Sequence, residues 1–169
     1  MAQIPGQGDP ASLPFLVGRE LDAFRTFYQI LETEQAALLE GDVGSLLPLA
    51  PKKNDMVAEL ARLGETRNAL LRSATGAANQ QGMTAWLAAF DPDDRSGVGK
   101  QWQALIDLAR RAKGLNETNG QVINSRLASN AQALEILMGA NATTTRLYGR
   151  DGQAYASTPS GGSRPLGKA

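Results

Sequence analysis

Three aspartates within four residues, Asp91, Asp93 and Asp94, are the densest reactive cluster in this 169-residue chain, and carboxylates so grouped could hold a divalent cation. A calcium loop, however, needs oxygen ligands at alternate positions, a glycine at its sharp turn and a closing bidentate glutamate. The run D-P-D-D-R-S-G-V-G misses that ligand spacing, that glycine and that glutamate. Glu32 with Glu34, and Glu59 with Glu65, read as the polar faces of helices. Histidine and cysteine are both absent. Their absence removes disulfides, thiolate nucleophiles, ordinary zinc sites and the commonest general base near neutral pH. Gly149 and Gly152 follow no strand pattern and open no helix, so they form no phosphate loop. No catalytic residue, metal or cofactor is expected, and the chain reads as a binding protein. Seventeen basic residues balance seventeen acidic ones, which leaves no cationic field for nucleic acid to follow.

Amide groups are the second candidate chemistry. N-E-T-N-G-Q-V-I-N-S-R-L-A-S-N, Asn116 to Asn130, places four asparagines and a glycine inside a long helical pattern. Two uses fit. Buried asparagines fix helix register at a cost in stability, and Gly120 would let a neighbouring helix come close. Alternatively Asn116, Asn119, Gly120 and Asn130 present amides and open backbone to a partner helix. Trp86 and Trp102 divide the same way, between interface anchors and core, and closing the end of a bundle accounts for them more simply.

The elements that carry these groups follow from apolar spacing. Ser12 is a plausible N-cap with Pro14 in the first turn, and Val17, Leu21, Phe24, Tyr28, Leu31 and Leu38 recur in steps of three and four to about Glu40. Gly41, Asp42 and Gly44 supply the turn and a fresh cap. A second helix, about Leu49 to Ser73, carries Met56, Leu60, Leu63 and Leu70, with a kink or delayed start expected at Pro51. A short helix forms around Trp86, Met83 to Phe90. The third long helix runs from about Val98 to Met138 on Val98, Trp102, Leu105, Ala109, Ala112, Ile123, Leu127, Leu134 and Leu137.

The fold expected is all-α: a coiled-coil-like antiparallel bundle of three long helices plus one short one, with a flexible C-terminal tail. Residues 1–11, rich in proline and glycine, form an irregular extension, 12–138 the bundle, and 139–169 a partner-binding tail. That tail carries Arg146, Arg150, Arg164 and Lys168 against Asp151, a net charge of plus three, leaving the body at minus three. No secretory signal or bilayer-spanning run is read, so a cytoplasmic location is expected.

One combination is specific enough to suggest a family. Asn116-x-x-Asn119-Gly120, Ile123 and Asn130-x-x-Ala133-Leu134-x-x-Leu137 are followed by Leu147-Tyr148-Gly149-x-Asp151-Gly152. With Glu34, Leu38, Lys52, Lys53, Leu60, Leu63, Arg67 and Trp102, this pattern resembles the FlgN-type flagellar export chaperones across about residues 15 to 155. The resemblance implies a non-catalytic chaperone of type III secretion in flagellum assembly. It would bind the C-terminal helices of the hook-filament junction proteins, hook-associated proteins one and three, and keep them from associating prematurely. It would then deliver them to the export gate and ATPase-complex components. Tyr148 matches the family tyrosine linked to gate docking. The partner-binding residues expected are Asn116, Asn119, Gly120, Asn130, Leu134, Leu137, Met138, Leu147, Tyr148 and Gly149. The rival reading is a structural coiled-coil adaptor that self-associates and has no secretion client.

Overall fold

In the computed structural model residues 12–144 are described, with side chains through Gly139. The extension 1–11 and residues 145–169, including Leu147, Tyr148 and Gly149, lie outside the described residues. Among the described residues five helices follow one another: α1 (Leu13–Glu40), α2 (Val43–Leu46), α3 (Leu49–Thr75), α4 (Gln80–Phe90) and α5 (Val98–Thr144). The chain divides into two units, one through Ile123 and the other from Asn124 onward.

Local chemistry sets the boundaries. Ser12 is extended and its hydroxyl accepts from the Phe15 N–H at 3.4 Å, satisfying one orphan donor of α1. Gly41, in the left-handed region at φ 76°, ends the helix, and its N–H is donated back to the last turn. A feature absent from the expected pattern follows, because Asp42 caps a single turn, accepting from the Ser45 N–H at 3.1 Å, and this turn is α2.

The kink or delayed start expected at Pro51 does not occur. Pro48 is the N-cap of α3, so Pro51 sits in the first turn, where backbone N–H groups have no intrahelical acceptor to lose. At the other end, α5 continues past Met138 to Thr144. Ala140 and Ala142, which flank Asn141, favour this continuation.

The first unit is held together in two apolar layers. Leu13, Val17, Leu71 and Met83 pack with Leu70, Trp86, Leu87 and Trp102, so α4 closes this end of the bundle. Trp86 stacks on Phe90 with ring centroids 4.5 Å apart. Phe27, Leu31 and Ala112 form the other layer with Phe24, Tyr28, Met56, Leu60 and Leu115. Gly82 is required near the first layer, because a Cβ there would lie 2.1 Å from the Ala77 carbonyl oxygen.

Two ion pairs set helix register. Glu20 meets Arg67 at 3.0 Å and Glu34 meets Lys53 at 2.8 Å, joining α1 to α3. Both helices place these partners fourteen residues apart in opposite chain directions, a separation of about 21 Å at ~1.5 Å per residue. The pairing makes α1 and α3 antiparallel. On α5 the buried side chains of this unit recur every seventh residue, at Val98, Leu105, Ala112 and Asn119. Arg111 donates to the Tyr28 hydroxyl and Asn119 to the Leu31 carbonyl, so numbering rises together on α1 and α5. Successive long helices are therefore antiparallel, and the first and last run parallel.

Candidate partner-binding surface

The asparagine-glycine motif divides between inside and outside. Asn119 is fully buried, and its Nδ2 donates at 2.9 Å to both the Leu31 carbonyl and Glu34 Oε2. A partner cannot reach this amide while the bundle is intact, so of its two readings the register-setting one describes the free chain. Asn116, three residues earlier on the helix, is exposed. Gly120 is half-buried, yet a Cβ there would meet nothing within 4 Å. The close helix approach expected at Gly120 is therefore not observed.

Around Asn119 lies a polar network that the sequence pattern hid. Glu34, expected on a solvated face, is buried, because Lys53 Nζ reaches both carboxylate oxygens at 2.8 and 2.9 Å and Asn119 adds a third donor. Glu20, which no motif singled out, is buried as well. Its burial raises its pKa above the ordinary value, and the Arg67 guanidinium opposes that shift. Arg67 in turn lies 5.0 Å over the Trp102 ring. Trp102 thus serves the core. The only advance signal was heptad arithmetic: the fourteen residues from Glu20 to Glu34 match those from Lys53 to Arg67.

The aspartate cluster is committed to its own loop. Asp91 accepts from the Arg95 N–H at 2.9 Å, the Ser96 N–H at 2.6 Å and the Ser96 hydroxyl, and these donors hold its carboxyl below the ordinary range. Asp94 accepts from the Gly99 N–H at 2.9 Å. Among the described residues no three potential metal ligands converge.

The second unit has the opposite character. From Asn124 to Gly139 every residue of α5 is exposed. Leu127 is 61% exposed, Leu134 59%, Leu137 62% and Met138 72%. Spacings of seven, three and one residues place these four side chains along one flank of the helix. Asn130 lies within that stripe, and the only charges between Asn124 and Thr144 are Arg126 and Glu135. Four large aliphatic side chains in line, with little charge among them, can cover the apolar stripe of another helix by helix-in-groove packing. They offer no nucleophile, acid or base. A second exposed apolar group, Leu39, Val43 and Leu47, stands at the α1–α3 turn of the first unit. Periodicity could not flag it, because its residues interrupt the stripe instead of extending it.

No helix among the described residues is long and apolar enough to cross a membrane. The family model described as FlgN protein matches residues 13–156. The flagella synthesis protein FlgN of Proteus mirabilis is 28% identical over 144 residues, covering 84% of this chain and 89% of that protein. Its counterpart in Salmonella typhimurium is 30% identical over 130 residues, covering 76% and 79% respectively. The Yersinia enterocolitica protein of the same name is 24% identical over 140 residues, covering 82% and 86%. No solved structure matches at a significant level.

Proposed function

Because this chain belongs to the FlgN protein family, we propose that it serves flagellum synthesis as a cytoplasmic, non-catalytic chaperone of type III export. Its clients are the C-terminal helical segments of the hook-filament junction proteins. The observation that carries this reading is the exposed stripe Leu127, Leu134, Leu137 and Met138. A soluble chain gains nothing by leaving so much aliphatic surface in water on a single helix unless a partner covers it. A client's amphipathic terminus laid along α5 buries that surface and, in the same step, hides the client's own apolar face from premature association.

To the remaining expected contacts we assign separate parts in the same function. Asn116 and Asn130, both exposed, supply amides that fix the register of the visiting helix. Leu147, Tyr148 and Gly149, in the segment that follows α5, extend the contact toward the export gate and the ATPase-complex components, with Tyr148 as the gate-docking group. Asn119 acts indirectly, by anchoring α5 to α1. Binding and release are the whole of the activity, and no cofactor, nucleic acid or membrane insertion enters it.

The test is reconstitution of the full chain with a C-terminal segment of a junction protein, read by light scattering and titration calorimetry. A one-to-one complex is expected, and Leu134→Ser with Leu137→Ser should weaken it by at least about tenfold, since truncating central apolar anchors removes most of an interface's energy. Homo-oligomers without any such complex would instead identify a self-associating coiled-coil adaptor. Tyr148→Ala should leave the complex intact and impair export of the client; loss of client binding would place Tyr148 in the client interface instead.

A further inference from the structure

Asn119-Gly120 is the one asparagine-glycine step in this chain, and packing gives Asn119 a reason but Gly120 none. A Cβ at position 120 would meet nothing within 4 Å, so no neighbouring helix requires the glycine, and alanine is the better helix former. An asparagine followed by glycine is also the sequence in which the side-chain amide is most open to attack by the next main-chain nitrogen, because glycine has no side chain to obstruct the approach. We propose that Asn119-Gly120 is a succinimide-forming site kept inert by the docking of α5 on α1, and that its conversion releases this part of α5 irreversibly.

The step balances with water as its only co-reactant. The Gly120 nitrogen bonds to Asn119 Cγ, the Cγ–Nδ2 bond breaks, and the nitrogen's proton leaves with Nδ2 as ammonia. Water then opens the five-membered imide at either carbonyl, giving aspartate or isoaspartate. The docked helix opposes the first bond in three ways. Ring closure needs Asn119 ψ far from the helical value of about −42°, and residue 119 lies inside the 47-residue α5. The Gly120 N–H is committed to the helical ladder. Asn119 Nδ2 is held at 2.9 Å by both the Leu31 carbonyl and Glu34 Oε2, out of reach of solvent. All three constraints lapse together when α5 lifts off α1, because a stretch so rich in asparagine, with a glycine in it, does not hold a helix alone. The layer is also incompletely satisfied: no donor among the described residues reaches the buried Asn119 Oδ1, which favours its opening to water.

Conversion is not undone by redocking. A carboxylate at 119 has no proton to donate to the Leu31 carbonyl, and it faces a Glu34 carboxylate whose two oxygens already share the Lys53 ammonium. Two buried carboxylates beside one cation leave a charge uncompensated, which is strongly destabilising. The isoaspartate product adds a methylene to the main chain and interrupts the helical ladder itself. The layer that sets the register of α5 is thereby also the place where that register is lost for good.

The full chain, aged in mildly alkaline buffer, digested and weighed by mass spectrometry, tests this directly. The peptide holding Asn119 should gain about 1 Da, the change from amide to acid. That gain should be at least about tenfold faster in guanidinium-unfolded chain than in native chain, since reaction through a rare opening is scaled by the open fraction. Equal rates in the two states would overturn the protection. Gly120→Ala, for which there is room, should keep the fold and slow conversion of the unfolded chain by about tenfold or more, for want of the open approach that glycine gives. An unchanged rate would overturn the imide route. The converted chain carries an added negative charge and separates from the parent on anion exchange. Its amides from Ala112 to Ile123 should exchange hydrogen at least about tenfold faster than the parent's, while α1 and α3 keep their protection. Unchanged exchange in α5, or protection lost from the whole bundle, would overturn the local release.

Discussion

The two units of this molecule invert each other's chemistry. In the bundle, charged and amide side chains are hidden: Glu20, Glu34 and Asn119 are buried, and each finds a partner across a helix interface. Beyond Ile123, large aliphatic side chains are exposed, and within reach of solvent they have no helix to cover them among the described residues. A buried ion pair adds little net stability compared with an apolar pair of the same volume, but leaving one member unpartnered is severe. Such pairs penalise every wrong register, which is a use that leucines, interchangeable along a heptad, cannot serve. The exposed leucines are the complementary case, contributing nothing to the fold and so available for another chain.

The largest effect should come from removing the shared carboxylate of the polar layer. Glu34→Ala strands the Lys53 ammonium and one donor of Asn119, and should destabilise the chain by about 3–5 kcal/mol in denaturant unfolding. Replacement of Glu34 and Lys53 together by leucine and methionine should recover most of that loss while loosening α1–α3 register, seen as broadened amide resonances. A loss under about 1 kcal/mol for the single change would mean the pair is in effect solvated, as surface pairs are.

One substitution made in both units sharpens the contrast. Leu31 is completely buried between α1, α3 and α5, so Leu31→Ala should cost about 2–5 kcal/mol through lost transfer energy and a residual cavity. The same change at Leu134 creates no cavity and should stay within about 0.5 kcal/mol. Similar losses at the two sites would show that something already covers Leu134 in the free chain.

These differences also explain what could be read before the structure. Leucine spacing, the Ser12 cap and the Gly41 turn placed α1 from Ser12 to about Glu40, close to its observed bounds, because each acts through local backbone geometry. Pro51 misled, since its effect depends on whether it falls in a first turn or an interior, and that depends on where Pro48 starts the helix. Glu34 misled more deeply, and Glu20 drew no notice at all. A carboxylate on a helix looks solvated unless its partner on another helix is known, and the partners stand nineteen and forty-seven residues away in sequence. On α5, Leu105 and Leu127 both belong to the apolar pattern, yet Leu105 is buried and Leu127 exposed, a difference that spacing alone does not carry.

The sign of a pH dependence separates two accounts of Glu20. Its carboxyl is held above its ordinary value of 4.5, chiefly by desolvation and against the pull of Arg67. The folded chain therefore binds this proton more tightly than the unfolded chain, so its contribution is complete below 4.5 and is lost as pH rises through the folded value. Glu20→Gln removes the titration, so thermal melts from pH 4.5 upward should show the variant gaining on the parent as pH increases. The reverse slope would mean that attraction to Arg67 outweighs burial, and that this pair resembles a surface bridge.

The smallest stability effect is expected where the binding effect is expected to be large. Leu134→Ser with Leu137→Ser touches two side chains that are 59% and 62% exposed, so the unfolding midpoint should shift by no more than about 0.5 kcal/mol per site. Helicity by circular dichroism should be nearly unchanged, since each serine costs only about 0.5 kcal/mol in propensity within a 47-residue helix. If client affinity falls in this same variant, the loss belongs to the surface and not to the fold, a separation that no substitution in the bundle can give. Should the variant unfold like Leu31→Ala, the distal helix is a second core and the division between a structural and a binding unit fails.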